Sequence, residues 1–567
     1  VRFKTITNFH HSITLNLFSA TNRPSIISRM SSAPFDLIVI GGGITGAGIA
    51  LDATSRGLKV ALIEMQDFAA GTSSRSTKLI HGGLRYLKQM EFKLVAEVGQ
   101  ERAIVHRNAP HLTKPEHLLL PIVKGGSLTT FTARLGMTIY EWLAGVKKEE
   151  KHIVLNKDAT IAAEPLLRKD NLVGGILFYE YRTDDARLTI EVLKEAVNRG
   201  TLAINYMKAI SFIYTGDKIS GVKAQDQFTN ETIELKANYV VNATGPWVDV
   251  IDDLDKPENQ HKLHITKGVH IVVDGNKLPL KQSSYFDTFD KRMIFVIPRE
   301  GKTYIGTTDT FYSEDVVNPL ITQEDVSYLL KCVNDIFPSV QLTERDVESN
   351  WVGLRPLIQK PGKGPSEISR KDEIFESASG LITIAGGKLT GYRKMAQRIV
   401  DLVGKKMSAT SGKNIPKCTT ATIAVSGGNT GNNGFDDFSK KQTIQLKELG
   451  LTSREAEMLI NRFGGNVKHL SPALSEGESR QTQLPSLPKV LHAQLYYCIE
   501  NELCCTPSDF FIRRIGALYF DIDTVKIWSD AVLQHMKVVL NWNDSQTMQH
   551  AEELKKLTLQ ANVSKTR

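Results

Sequence analysis

Phe35-Asp-Leu-Ile-Val-Ile40, running straight into Gly41-Gly-Gly-Ile-Thr-Gly46, is the stretch on which the fold turns. A short apolar run of this kind has the form of a strand buried on both faces of a parallel sheet. Gly41, Gly43 and Gly46 fit G-x-G-x-x-G. The first two permit a tight turn and close approach of backbone to a pyrophosphate, and the third lets helix and strand pack closely. A small-residue helix is predicted from Ala47 to Arg56, ended by Gly57, and a second strand follows in Lys59-Val-Ala-Leu-Ile-Glu64. Together they make a βαβ unit of the usual ~30 residues. Glu64 lies 18 residues past Gly46 at a strand end, where a carboxylate can bind ribose hydroxyls. The glycine pattern alone leaves NAD and FAD both open.

The next segment tips the reading towards FAD. Gly71-Thr-Ser-Ser-Arg-Ser-Thr-Lys-Leu-Ile-His-Gly-Gly-Leu-Arg-Tyr-Leu87 collects hydroxyls, cations and glycines where a nicotinamide enzyme usually carries an ordinary helix. Such a segment offers backbone and hydroxyl donors to a long cofactor. Further along, Asn238-Tyr-Val-Val-Asn-Ala-Thr-Gly245 and Leu381-Ile-Thr-Ile-Ala-Gly-Gly387 read as buried strands ending at glycine. These pieces belong to one nucleotide-binding domain that the chain visits several times, expected over 34–105, 231–261 and 346–410. The stretches 106–230 and 262–345, with β-rich runs such as Met293-Ile-Phe-Val-Ile297 and Thr303-Tyr-Ile-Gly306, are expected to build a substrate-facing domain. Ser426 to Gly434 has the composition of a linker. It falls within 420–567, expected to be a helical C-terminal domain, with helices from Ser453 to Phe463 and from Asp530 to Leu540.

Size and composition agree with a multidomain globular chain. Its 567 residues exceed one ordinary core, and 41% hydrophobic with 23% charged residues excludes a disordered or membrane-spanning chain. Half of the formal charge of +8 comes from Arg2, Lys4, Arg23 and Arg29, so no nucleic-acid partner is expected. The five cysteines show no metal-ligand spacing and no disulfide framework, which indicates a reducing compartment and no metal. The residues before Met30 are basic, rich in Ser and Thr and free of acids, which formally resembles a transit peptide. The plainer reading makes Met30 the start. On either reading residues 1–33 are set aside from the fold as a leader or an upstream extension.

At this point the chain resembles the FAD-linked, respiratory glycerol-3-phosphate dehydrogenases, most closely their Gram-positive members. The resemblance runs from about residue 35 to about 545. It rests on the 71–86 segment quoted above and on Glu180-Tyr-Arg-Thr-Asp-Asp-Ala-Arg-Leu188, Val241-Asn-Ala-Thr-Gly-Pro-Trp247, Gly353-Leu-Arg-Pro356 and Gly386-Gly-Lys-Leu-Thr-Gly-Tyr-Arg-Lys394. The departures are the N-terminal segment and Gly391, where some relatives carry Thr. The family implies an α/β + α architecture: a glutathione-reductase-like FAD-binding Rossmann domain, a discontinuous β-rich substrate domain and a C-terminal helical domain. It also implies oxidation of sn-glycerol 3-phosphate to dihydroxyacetone phosphate, with electrons passed to a respiratory quinone. The expected location is the cytoplasm, peripherally on the inner face of the cell membrane, as a homodimer. Two alternatives stay open, an oxidase that hands electrons to oxygen and a binding protein whose flavin is structural.

The chemistry needs a grip on phosphate, a proton acceptor and positive charge near the reduced flavin. By resemblance, Arg85, Tyr86 and Arg370 bind substrate, the arginines through their planar forks of donors. Arg355, followed by Pro356, is aimed at the reacting hydroxyl. Lys388, where a strand meets a helix, is placed to stabilise negative charge on the reduced ring. His270 is favoured as the base because an ordinary imidazole pKa near ~6.5 suits proton transfer. His81 is the second candidate, or a flavin contact. The expected cofactor set adds Thr72, Ser73, Ser74, Gly82, Gly245, Gly387, Leu389 and Thr390 to Glu64 and the loop glycines. Asp184, Asp185 and Arg187 read instead as a helix cap.

Overall fold

A computed structural model describes residues 16–81, 92–146, 148–255, 263–358, 372–476 and 484–562. Phe35–Ile40 lies inside the first sheet because both its faces are apolar, and Leu37, Ile38 and Val39 are completely buried. It pairs in parallel with Val60–Ile63 on one side and with the end of Thr232–Asn242 on the other. Leu202–Ile204 and Ile382–Ala385 extend the sheet outward, again in parallel. Glu373–Glu376 adds an antiparallel edge, and the ribbon Met207–Thr215/Lys218–Asp226 joins the other half of Thr232–Asn242. Helix Ile44–Ser55 lies against helices Asp185–Asn198 and Tyr392–Ser411.

The second sheet has ten strands, mostly antiparallel. Leu263–Asp274 is flanked by Val347–Ile358 and Lys302–Gly306. The sheet continues through Met293–Arg299 and Ser283–Asp287 to Thr113–Val123 and Leu172–Thr183. Helix Gln323–Ile336 seals part of it with Val326, Leu329 and Val333. Helix Thr130–Ala144 covers another part with Ala133, Met137, Tyr140 and Ala144, one stripe at helical spacing. The C-terminal helices, among them Ser453–Phe463, Lys489–Asn501 and Ile522–Val539, have their own core. Ser453–Phe463 starts where expected because Thr452 and Glu455 form a capping box. No helix among the described residues is long and apolar enough to cross a membrane.

Three expectations need correction. Leu202–Ile204 and the ribbon 207–226, assigned by sequence to the substrate domain, belong to the first sheet. Val347–Ile358 and Leu79–Ile80, assigned to the nucleotide domain, belong to the second. Local apolar runs specify strands, but the sheet a strand joins is decided by pairing with distant chain. Second, residues from 16 onward are part of the folded body. Phe18, Ile26 and Met30 are buried in the main core, and in helix Arg23–Ser32 the Arg23 guanidinium donates to Asp226 Oδ2 (3.0 Å) and to the Asn205 carbonyl (2.6 Å). Third, the glycine-rich stretch read as a linker is held against the fold. The Ser426 N–H donates to the Glu191 carbonyl (3.2 Å) and the Gly465 N–H to the Gly427 carbonyl (2.8 Å).

A buried ion cluster joins the C-terminal helices to the first domain. Asp67 accepts from Arg513 Nε (2.5 Å) and from Arg514 through both of its terminal nitrogens (2.7 and 3.0 Å). Glu502 accepts from Arg187 (2.5 and 2.8 Å), which also pairs with Glu191. Burial pushes the Asp67 and Glu502 carboxyls up, but the guanidiniums outweigh it and hold each at about 2. Asp184 caps its helix, accepting from the Arg187 N–H (3.1 Å), and Asp185 pairs with Lys78 (2.5 Å), so both serve structure as read.

Candidate active site

Two cavities, of about 380 and 670 Å³, adjoin one another. They share a wall made by Thr72, Ser76, Pro356, Gly387, Lys388 and Leu389. Gly41, Gly43, Glu64, Thr72, Ser73 and Gly245 line the smaller one. Gly41 has φ +111°, and a Cβ there would sit 2.6 Å from the Ala243 carbonyl oxygen, so no other residue keeps this turn. Gly46 lies beneath the loop, where a Cβ would strike the Gly41 carbonyl. Glu64 accepts from the N–H groups of Gly42 (2.7 Å) and Gln66 (2.8 Å), and burial raises its pKa against those bonds. Ser73 Oγ accepts from the Ile44 N–H (2.9 Å) at the start of the helix. Ser74 is buried but lines neither cavity.

The larger cavity is built on two neighbouring strands. Antiparallel pairing sets Thr266 opposite Arg355, Gly268 opposite Gly353 and His270 opposite Trp351. The period of two turns all six to one face. The glycine pair is what makes room. A Cβ on Gly268 would lie 2.2 Å from the Arg355 guanidinium, and one on Gly353 would lie 2.2 Å from the Arg75 carbonyl. Gly306 does the same for the imidazole of His270. Arg355 is steered by Asp309 (3.1 Å) and donates to Thr307 Oγ1 (2.9 Å).

His270 lies stacked on Trp351, with ring centroids 4.7 Å apart, and its Nε2 is 3.0 Å from Thr77 Oγ1. Burial first, then the charges of Arg355 and Lys78, push its pKa well below 6.5. The reason given above for choosing it, an ordinary imidazole pKa, therefore fails in this environment. His81, Lys388, Leu389 and Thr390 line the same cavity, with the Thr390 hydroxyl donating to the His81 carbonyl (3.2 Å). Lys388 stands just before the turn Leu389–Gly391 and helix Tyr392–Ser411. Gly82, Arg85 and Tyr86 fall in 82–91 and Arg370 in 359–371, outside the described residues. Sequence reasoning missed Thr77, Lys78, Thr307, Asp309 and Trp351. Glycine inside a strand pattern, at 268, 306 and 353, was the available signal, since it marks close approach.

An elongated dinucleotide fits this joint space. The glycine turn, the helix start and the Glu64 carboxylate line one end, while cations and histidines line the other. A family model described as FAD dependent oxidoreductase matches residues 36–393, and one described as the C-terminal domain of alpha-glycerophosphate oxidase matches 418–547. The chain is 50% identical to the aerobic glycerol-3-phosphate dehydrogenase of Bacillus subtilis over 549 residues, 96% of this chain and 98% of that one. It is equally identical to the Staphylococcus aureus enzyme of that name, over 96% of this chain and 98% of the other. The glycerol-3-phosphate dehydrogenase from Bacillus halodurans complexed with FAD superposes with a TM-score of 0.83 at 47% identity, covering 96% and 98% of the two chains. Likeness of this depth, through both matched regions and nearly the whole length, means that the chain belongs to the FAD-dependent aerobic glycerol-3-phosphate dehydrogenases.

Proposed function

We propose that this protein oxidises sn-glycerol 3-phosphate to dihydroxyacetone phosphate and hands the electrons to a membrane quinone, working as a homodimer on the inner face of the cell membrane. The observation that carries the reading is the 50% identity to aerobic glycerol-3-phosphate dehydrogenases along nearly the full chain. FAD, when bound, supplies the acceptor for the hydride leaving the alcohol carbon.

The remaining work falls to the chain's own residues. Arg355, aimed by Thr307 and Asp309, holds and orients the polar end of the substrate beside the glycine pair. Arg85, Tyr86 and Arg370 complete the phosphate site in this reading. His270 takes the hydroxyl proton at Nε2, which lies beside Thr77. Its lowered pKa keeps it neutral; burial is the main cause, and a phosphate dianion near Arg355 would offset only the smaller share due to that cation. Lys388, at the junction of the two cavities, sets a positive charge where electron density arrives.

Anaerobic visible absorption tests this directly. Oxidised-flavin bands should bleach with glycerol 3-phosphate and persist with glycerol; bands that survive both would overturn the substrate. The C-terminal match bears the name of an oxidase, so hydrogen peroxide release is the companion measurement. Stoichiometric peroxide in air would move the acceptor from quinone to oxygen.

A further inference from the structure

The His270 imidazole is oriented by packing more than by hydrogen bonds. Its Nε2 is 3.0 Å from Thr77 Oγ1, but its Nδ1 is buried and meets no polar partner among the described residues. A histidine that moves protons is commonly fixed by a carboxylate or carbonyl at its second nitrogen. Here the ring is wedged instead. The strands on both sides of His270 close on it: Gly306 on one, where a Cβ would lie 2.1 Å from the ring, and Trp351 on the other, stacked at an interplanar angle of 11°.

Trp351 lines neither cavity; it is clamped from behind. Its Nε1 donates to the Ser76 carbonyl (3.0 Å), and the Lys78 ammonium, held by Asp185, lies 5.4 Å from the indole ring centroid. Tyr519 and Phe520 of the C-terminal domain pack against the same ring, with centroids 5.3 and 5.6 Å away. The grip extends to the two preceding residues. The Ser349 hydroxyl donates to the Tyr519 carbonyl. The Asn350 amide donates to the carbonyls of Gln560 (2.9 Å) and Ala561 (2.7 Å), at the end of helix Asp544–Ala561. Three successive residues of one strand are thus fastened to a domain none of whose described residues lines either cavity.

We propose that Trp351 is the positioning residue for the His270 base, and that the C-terminal domain serves the reaction by holding Trp351 in place. The inference rests on the reading of His270 as the base, and deepens it. An indole stacked on an imidazole fixes the plane of the ring and keeps water off one face. The charged and titratable groups around the ring are Arg355 with its partner Asp309, Lys78 with its partner Asp185, and Tyr304 on the strand of Gly306. Burial is the largest cause of the lowered His270 pKa, so a smaller side chain at 351, which admits water, lets it rise towards its ordinary value. The base must be neutral to accept a proton, so the acid limb of the rate then moves to higher pH.

The test follows flavin bleaching by glycerol 3-phosphate in anaerobic stopped flow, across pH, with the full-length, FAD-loaded protein. Trp351→Leu should slow bleaching about 100-fold, the cost of a misplacement of about 1 Å, and shift the acid limb upward with little change in the substrate concentration for half-maximal rate. Trp351→Phe, which keeps a stacked ring, should restore both rate and limb. Phe520→Leu, which leaves the indole and removes its backing, should move the same readouts in the same direction by a smaller factor, and replaces Trp351→Leu if that variant does not fold. His270→Gln is the control for the base. If it bleaches as fast as wild type, the base assignment fails and this inference with it. If it is slow while folded Trp351→Leu or Phe520→Leu keeps the wild-type rate and limb, the positioning role is overturned and the base stands. A loss confined to substrate affinity, with the limb unmoved and no rescue by phenylalanine, would overturn it equally.

Discussion

The arginines at the seam between domains and the arginine on the cavity wall are treated differently. At the seam with the C-terminal helices, Arg187, Arg513 and Arg514 are enclosed and share carboxylates with one another. At the cavity, Arg355 keeps 18% of its side chain exposed and lies over a patch of sheet cleared by glycine. A guanidinium sealed against a carboxylate has its charge committed to the protein. One set on a cavity wall, held by the Thr307 hydroxyl, the Thr308 carbonyl and the Asp309 carboxylate, keeps part of its surface turned to the cavity. The first arrangement holds domains together; the second suits a ligand.

The sharpest way to break that contrast is to remove one partner at the seam. Asp67→Ala leaves two arginines facing each other without their shared carboxylate, and loss of one member of a buried pair costs about 3–5 kcal/mol. Denaturant unfolding of the FAD-loaded protein should show a loss of that size, with turnover per folded molecule nearly intact. A loss within about 1 kcal/mol would put the seam in the class of ordinary surface pairs.

Arg355→Ala should give the opposite pattern. Hydrogen bonds to charged groups contribute about 1.5–3 kcal/mol, so kcat/KM for glycerol 3-phosphate should fall about 100-fold while the unfolding midpoint hardly moves. Steady-state kinetics with a dye acceptor, run beside thermal unfolding, checks both halves. A variant that unfolds early instead would show that Arg355 too is structural.

Acid unfolding separates the two regions more gently. Asp67 and Glu502 have folded pKa values of about 2, below their ordinary range, so the folded state binds fewer protons there than the unfolded chain. Their contribution is complete above the ordinary carboxylate range and is lost as pH falls through it towards 2. Stability followed by fluorescence should decline across that window, and Asp67→Ala should flatten the decline. Wild type and variant with identical acid slopes would show that Asp67 does not report the cluster.

Much of the fold was legible because its signals are local. Phe35–Ile40 with Gly41, Gly43 and Gly46 declares a strand, a turn and a helix within twelve residues, and helix Ser453–Phe463 follows its own capping box. What stayed hidden depends on register. Nothing within Lys267–Val272 says that Gly268 will face Gly353, or that His270 will stack on Trp351 and lose its usual pKa. Residues 16–32 were set aside because basic, acid-free composition resembles a targeting segment. Arg23 finds its acid, Asp226, about 200 residues away. The candidate site was therefore readable as an inventory of residue types, while its neighbours and electrostatics came only from pairing at long range.

The first sheet also sets a timetable for the ribosome. Phe35–Ile40 gains Val60–Ile63 almost at once, but Thr232–Asn242 emerges about 200 residues later and Ile382–Ala385 nearly 350 residues later. At synthesis rates of ~5–20 residues per second, that last partner arrives roughly 20–70 s behind the first strand. Until Thr232–Asn242 emerges the central strand Phe35–Ile40 has one edge open, and Thr232–Asn242 then waits for Ile382–Ala385, which favours chaperone capture and makes yield sensitive to translation speed. Chains that stop short of residue 382 lack the outer strand and the Gly386-Gly387 turn that line the cofactor cavities. The glycine loop is among the first parts of this enzyme to be made, yet the cradle it belongs to is finished only after two-thirds of the chain has been translated.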